Sequence, residues 1–314
     1  MSRLKILVND EIDNEAIDLL RSKGFQVDVK EYSQQDLVKN ISSYEVLIVR
    51  SRSKVDRDVI EAGKDLKIIA RAGVGLDNID VEAAKQRNII VLNAPEAPSI
   101  AVCELVFGLM LSIARQICLA SNRLKSGEWI KKQLSGFELY GKNLAIIGYG
   151  NIGRQVGLRA KAFGMNVHVY DVAEQSLMKA KEEGFNVYGP DRINLTDMLK
   201  KADIITVHVP LLPATKKLIG EREFEYMKTG VVIINTSRGG VIDEQALLTN
   251  LNNGKVAGAG LDVYEIEPPV AGVSKNLVEH PKTVCTPHIG ASTMESQRKA
   301  GMIIAEKIIS ILKP

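Results

Sequence analysis

Along most of the chain, short β-branched apolar runs alternate with stretches whose apolar residues recur at helical spacing. Residues 4–8, 46–49, 68–70, 89–92, 144–147, 167–170, 204–207, 231–234 and 257–261 predict strands. Residues 14–23, 81–86, 152–163 and 245–252 predict helices between them. The runs are continuously apolar rather than alternating, as expected of strands covered on both faces. Strand–helix alternation of this kind predicts parallel sheets with crossover helices, an α/β fold. The rhythm breaks once: after "NAPEAPS" a helical pattern runs from about Ile100 to Lys125, and a polar loop then leads to the strand at Leu144. That layout predicts a single long connecting helix between two αβ units. Asp243 reads as the N-cap of the helix that follows it, and Gly254 as its stop.

Composition bounds this picture without redirecting it. The 314 residues suffice for about two domains. A net charge of +3, with no basic block interleaved with aromatics, argues against nucleic-acid or membrane-surface binding. The N-terminus shows no leader pattern, and no uncharged run, residues 105–114 included, approaches the roughly 20 residues of a membrane helix. Cys103, Cys118 and Cys285 form no CxxC and no even-numbered framework, so they are expected as buried free thiols in a cytoplasmic protein.

The most specific stretch is "LAIIGYGNIGRQVGLRAKAFGMNVHVYD". A strand ends at Gly148, and Gly148-x-Gly150-x-x-Gly153 opens a helix. The first glycine permits the turn, the second admits a pyrophosphate, and the third lets the helix pack close to the sheet. The helix N-terminus supplies N–H groups and a positive dipole. Asp171 closes the next strand 18 residues after Gly153, near the ~20 expected of a ribose-binding carboxylate. An acid there would repel a 2′-phosphate, which favours NAD over NADP.

Four histidines remain to be weighed. His168 reads as strand packing, His208 as a strand-end residue able to line the cofactor crevice, and His280 as surface loop. Neither their spacing nor the cysteines offer a metal site. His288, in "TPHIGAST", is flanked by small residues that leave its ring uncrowded, as a proton carrier requires.

"INTSRGGVID", "GLDVYEIEPP" and "TPHIGAST", in this order after the glycine cradle, resemble the D-isomer-specific 2-hydroxyacid dehydrogenase family over nearly the whole chain. The resemblance implies two doubly wound, Rossmann-like domains with the active site in the cleft between them. Residues 1–94 and 287–314 would form a discontinuous substrate domain, and residues 95–286 the NAD-binding domain. It makes His288 the base in oxidation and the acid in reduction, Glu267 the carboxylate that orients it, and Arg238 the clamp on the substrate carboxylate. Glu265 competes with Glu267 on sequence alone; the family's acid immediately precedes proline, which selects Glu267.

Cofactor contacts are implied for Val74, Gly148, Gly150, Asn151, Ile152, Gly153, Asp171, Val209, Thr236, Ser237, Asp262 and Gly290. Substrate contacts are implied for Arg50, Ser51, Arg52, Val74, Gly75 and Lys131. Two guanidinium groups at a strand's carboxyl end suit a phosphate as well as a carboxylate. The resemblance is nearest to the branch that oxidises 3-phosphoglycerate with NAD, in a short form, since only 24 residues follow Gly290. It also implies a homodimer or larger homo-oligomer built on the helix near Ile100. A glyoxylate or hydroxypyruvate reductase, and an NAD-sensing binding protein on the same fold, are the alternatives. Pro98 and Cys103 depart from the family pattern where the chain is expected to cross between domains.

Overall fold

A computed structural model describes residues 4–312. Compact packing divides the chain into two units, residues 1–101 with 291–314 and residues 102–290. These divisions fall a little later in the chain than the expected crossings, so His288 and Gly290 belong to the second unit.

The first unit is built on β1 (Lys5–Val8), β2 (Gln26–Val29), β3 (Val46–Val49), β4 (Ile68–Arg71) and β5 (Ile90–Asn93). The strands are all parallel, in the order β2-β1-β3-β4-β5. Successive residues feed opposite faces: Ile6 and Val8 enter one apolar cluster and Leu7 the other. The C-terminal helix Met294–Leu312 completes the first of these clusters through Ala300, Ile304 and Ile308.

The second unit carries β6 (Asn143–Ile147), β7 (Asn166–Tyr170), β8 (Asn186–Tyr188), β9 (Ile204–Val207), β10 (Val231–Asn235), β11 (Val256–Leu261) and β12 (Thr283–Cys285). Its order is β12-β11-β10-β9-β6-β7-β8, again all parallel. The order reverses between β6 and β9, and ligands of such sheets bind outside the strand ends at that switch point. Both units are therefore the expected Rossmann-like α/β sheets.

Three strands, β2, β8 and β12, escape the sequence pattern. All are sheet edges of three or four residues, and with a neighbour on one side only they need less apolar surface. The predicted long helix is a larger correction. It is two helices, Ser99–Ala114 and Ile117–Lys125, bent by 65°. Gln116 breaks the run in the left-handed region (φ 51°). The loop before β6 imposes the bend: the Phe137 N–H donates to the Ala114 carbonyl at 2.9 Å, and the Gln116 side-chain amide donates to Ser135 O at 2.8 Å. The first helix is largely buried, whereas the second buries no residue. Among the described residues no single helix is long and apolar enough to cross a membrane.

Of the cysteines, Cys103 is buried and Cys285 partly so, but Cys118 is exposed, against expectation. It lies on the outward-facing second helix. Asp243 caps the helix Glu244–Asn252 by accepting from the Gln245 and Ala246 N–H groups, and Gly254 follows that helix with φ +82°.

Candidate active site

The glycine cradle forms where β6 meets the helix Asn151–Ala162, whose N-cap is Gly150. Gly148 adopts φ +93°, and a Cβ there would come within 2.6 Å of His208 O and 2.8 Å of a Val209 methyl. A Cβ on Gly153 would overlap the Gly148 carbonyl, whereas one on Gly150 would meet only open space. Two glycines thus permit close packing and the middle one leaves room for a ligand, with Asn151 and Ile152 opening the helix. Asp171 stands just past β7. Its carboxylate accepts from the Tyr149 N–H at 2.6 Å and the Ala173 N–H at 2.8 Å, bracing the loop.

Across the switch point, His208 follows β9. Its Nε2 meets Thr206 Oγ1 at 3.0 Å, and burial pushes its pKa down to about 3, so the ring is neutral. Its Nδ1, like the Thr236 hydroxyl just past β10, is buried without a hydrogen-bond partner. Orphaned polar atoms beside an open glycine turn are what a dinucleotide would satisfy.

Arg238 lies in the turn after β10. Asn235 shapes that turn: its Oδ1 accepts from the Ser237 N–H at 3.0 Å and hydroxyl at 2.9 Å, and its Nδ2 donates to Arg238 O at 3.0 Å. The Arg238 Nη1 donates to Ser237 O at 2.7 Å. Gly239 brings this turn against the next loop, because a Cβ there would overlap the Tyr264 carbonyl. That loop carries Glu267, whose Oε1 accepts from the Tyr264 N–H at 3.1 Å and whose Oε2 lies 2.7 Å from His288 Nδ1.

His288 is held from below by Asp262, fully buried at the end of β11. The Asp262 carboxylate accepts from the Thr286 hydroxyl (2.6 Å) and from the Ile289 and Gly290 N–H groups (both 2.8 Å). Both of its oxygens are thus engaged within the protein. The Tyr264 hydroxyl reaches Thr286 O at 3.0 Å.

The electrostatics follow from these contacts. The hydrogen bond to Glu267 raises the His288 pKa; burial and the Arg238 charge oppose it, and the charges of Glu267 and Asp262 add to it. For Glu267, burial pulls upward, but the His288 and Tyr264 hydrogen bonds and the charges of His288 and Arg238 prevail and hold it below the usual range. The His288 side chain stays 51% exposed, open to a reactant.

Sequence-expected residues of the first unit have their own set of contacts. The Arg50 N–H donates to Asp10 Oδ2 at 2.7 Å, and Arg50 O accepts from Arg71 Nε and Asn78 Nδ2. The Arg52 guanidinium is 3.3 Å from Asp10 and also donates to Asn9 O, so it carries an internal counter-ion. Ser51 is exposed, and Val74 O accepts from Asn93 Nδ2 at 2.6 Å beside Gly75. Lys131, in the second unit, sits exposed on a short turn, Lys131–Gln133. Of the other histidines, His168 is buried between Tyr188 and Asn143, and His280 follows the helix Gly272–Glu279. Sequence reading missed Asn9, Asp10, Asn235 and Glu244, all buried and polar, because each acts on backbone groups and carries no motif of its own.

A nucleotide cradle at a parallel-sheet switch point, sharing one unit with a carboxylate-oriented imidazole, defines a nicotinamide-dependent oxidoreductase. Residues 107–290 match the family described as D-isomer specific 2-hydroxyacid dehydrogenase, NAD binding domain. A hydroxypyruvate reductase of Thermotoga maritima is 47% identical over 99% of both chains. A D-3-phosphoglycerate dehydrogenase of Methanocaldococcus jannaschii is 48% identical over 99% of this chain, which spans 58% of that relative's length. The solved structure of a glyoxylate reductase from Paecilomyes thermophila superposes with a TM-score of 0.85 at 30% identity, covering 99% of this chain and 95% of that one. The chain belongs to the D-isomer specific 2-hydroxyacid dehydrogenase family, and its cofactor is NAD.

Proposed function

We propose that this dehydrogenase oxidises 3-phosphoglycerate to 3-phosphohydroxypyruvate, with Arg238, Glu267 and His288 as its catalytic residues. The observation that carries the chemistry is the 2.7 Å contact between Glu267 and His288. With Nδ1–H donated to Glu267, the Nε2 lone pair takes the hydroxyl proton as the carbon is oxidised, and the protonated ring returns it in reduction. The Arg238 guanidinium grips the substrate carboxylate and steadies the oxygen as it gains carbonyl character. NAD, when bound, supplies the hydride acceptor. Gly148, Gly150, Asn151, Ile152 and Gly153 hold its pyrophosphate and Asp171 its ribose. Val209, Thr236, Ser237 and Gly290 line its groove, with Thr236 and His208 offering their unpartnered atoms. Asp262 acts through the loop of His288.

The first unit is the substrate domain in this reading, with Val74 also reaching the cofactor. Arg50, Ser51, Arg52 and Gly75 are its substrate contacts, Lys131 of the second unit is a further one, and Arg50 is the principal phosphate ligand, since Arg52 is paired with Asp10. The enzyme acts in the cytoplasm as a homo-oligomer.

That pairing, together with the end-to-end match to a hydroxypyruvate reductase, favours one second reading: reduction of the unphosphorylated acid. The two 2-oxo acids, phosphohydroxypyruvate and hydroxypyruvate, differ only by the phosphate. Steady-state kcat/KM for phosphohydroxypyruvate, hydroxypyruvate and glyoxylate decides between them. Preference for the phosphorylated acid, lost in R50A, is expected; equal or better use of hydroxypyruvate by the unaltered enzyme selects the second reading.

A further inference from the structure

Glu244 is an acid with no place in the chemistry just described. It opens the helix Glu244–Asn252 and is only 6% exposed. A carboxylate so placed is costly unless its oxygens are satisfied. They are satisfied by groups outside its own helix. Oε1 accepts from the Glu265 N–H at 2.7 Å, and Oε2 from the Ser274 hydroxyl at 2.5 Å, on the buried side of the helix Gly272–Glu279. Ser274 Oγ in turn accepts from the Ile266 N–H at 3.3 Å.

These contacts account for consecutive backbone donors of the loop before Glu267. The Tyr264 N–H is taken by Glu267 itself, that of Glu265 by Glu244, and that of Ile266 by Ser274. Glu265 Oε1 lies at the edge of hydrogen-bond range, 3.5 Å from the Glu244 N–H. The loop is pinned to two helices, and Glu267 leaves it at a fixed point.

We propose that Glu244 is the positioning residue of the Glu267–His288 pair, a buried carboxyl that ties residues 264–267 to the two helices and so holds Glu267 at bonding distance from the imidazole. The proposal rests on the catalytic reading given above. Burial raises the Glu244 pKa; the Ser274 and Glu265 hydrogen bonds oppose this, and the negative charges of Glu265 and Asp243 add to it. Asp243 is itself paired with Lys217 at 2.9 Å. The charged groups that face His288 are Glu267, Asp262 and Arg238, so loosening Glu267 alone leaves a ring with less to hold its proton.

The test compares E244A, E244Q and S274A with the unaltered enzyme, following the imidazole of His288 by proton NMR titration, with H288N assigning the resonance, alongside kcat and thermal midpoint. In E244A the His288 pKa is expected to fall towards that of an ordinary histidine and kcat to drop at least tenfold. S274A should shift both in the same direction by less. E244Q keeps an acceptor for the Glu265 N–H and should restore most of the titration and rate. Should E244A fail to fold, the ordering of S274A and E244Q carries the test. A lower thermal midpoint with an unmoved His288 titration makes Glu244 a residue of the fold alone and overturns the proposal. Retention of full activity by H288N overturns the catalytic reading instead, which separates the two failures.

Discussion

His288 adopts a backbone conformation that non-glycine residues seldom take (φ 52°). Asp262 sustains it by accepting from the next two backbone N–H groups, and the turn aims the ring at Glu267. Because the ring's pKa is raised, its protonated form persists to higher pH than in a free histidine. Oxidation needs the neutral ring, so its kcat/KM is expected to fall as pH drops through that raised pKa; reduction needs the protonated ring and should fall as pH rises through it. E267Q removes the negative charge and should move both limbs to lower pH, which pH–rate profiles in the two directions measure. H288N should lower kcat by roughly 10²–10⁴. At this scale the residues proposed to contact reactants were the ones the sequence made legible, because proton transfer, carboxylate binding and pyrophosphate binding each demand particular side chains in recognisable company. Asp262 and Glu244 were not legible in their structural roles. Each bonds to backbone more than twenty positions away, and any short acceptor suitably placed leaves no spacing to read.

Between elements, the decisive joints are backbone against backbone. The turn after β10 and the loop after β11 touch at Gly239 and Tyr264, which joins the carrier of Arg238 to the carrier of Glu267. A methyl group has no room there, since the obstacle is a carbonyl and not a flexible side-chain tip. Gly239→Ala should therefore cost about 1–3 kcal/mol of stability, the usual range for overpacking, and lower kcat as the loop recedes. Thermal melts together with kcat check this; a variant with unchanged melting and rate contradicts so tight a joint. Central strands such as β3, β6 and β10 were legible as apolar runs because they are covered on both faces. Edge strands β2 and β8 were hidden by polar residues that an edge tolerates. The bend at Gln116 was hidden because residues on both sides of it are good helix formers, and the cause lies in a loop about twenty residues further on.

For the molecule as a whole, parallel α/β architecture followed from strand–helix alternation, but strand order did not, since sequence spacing is silent on which strands become neighbours. The same limit applies to assembly. The helix Ser99–Ala114 spends most of its apolar residues on the core of the second unit, so it has little left to offer another chain. The helix Ile117–Lys125, bent away from it, leaves Ile117 49%, Leu119 44% and Leu124 59% exposed, and Trp129 just beyond is 79% exposed. Apolar side chains gathered on one element of an otherwise well-packed unit are the usual mark of a protein interface. A second copy of this chain is the partner the sequence resemblance implies, and these exposed side chains would confine its surface to the second half of the predicted helix, residues 117–125. Leu124→Glu, on the same helical face as Ile117, places a charge there without disturbing any buried contact. Sedimentation velocity should show the unaltered chain as a dimer and the variant as a monomer with nearly the same thermal midpoint at low concentration. A variant that still sediments as a dimer would place the interface elsewhere.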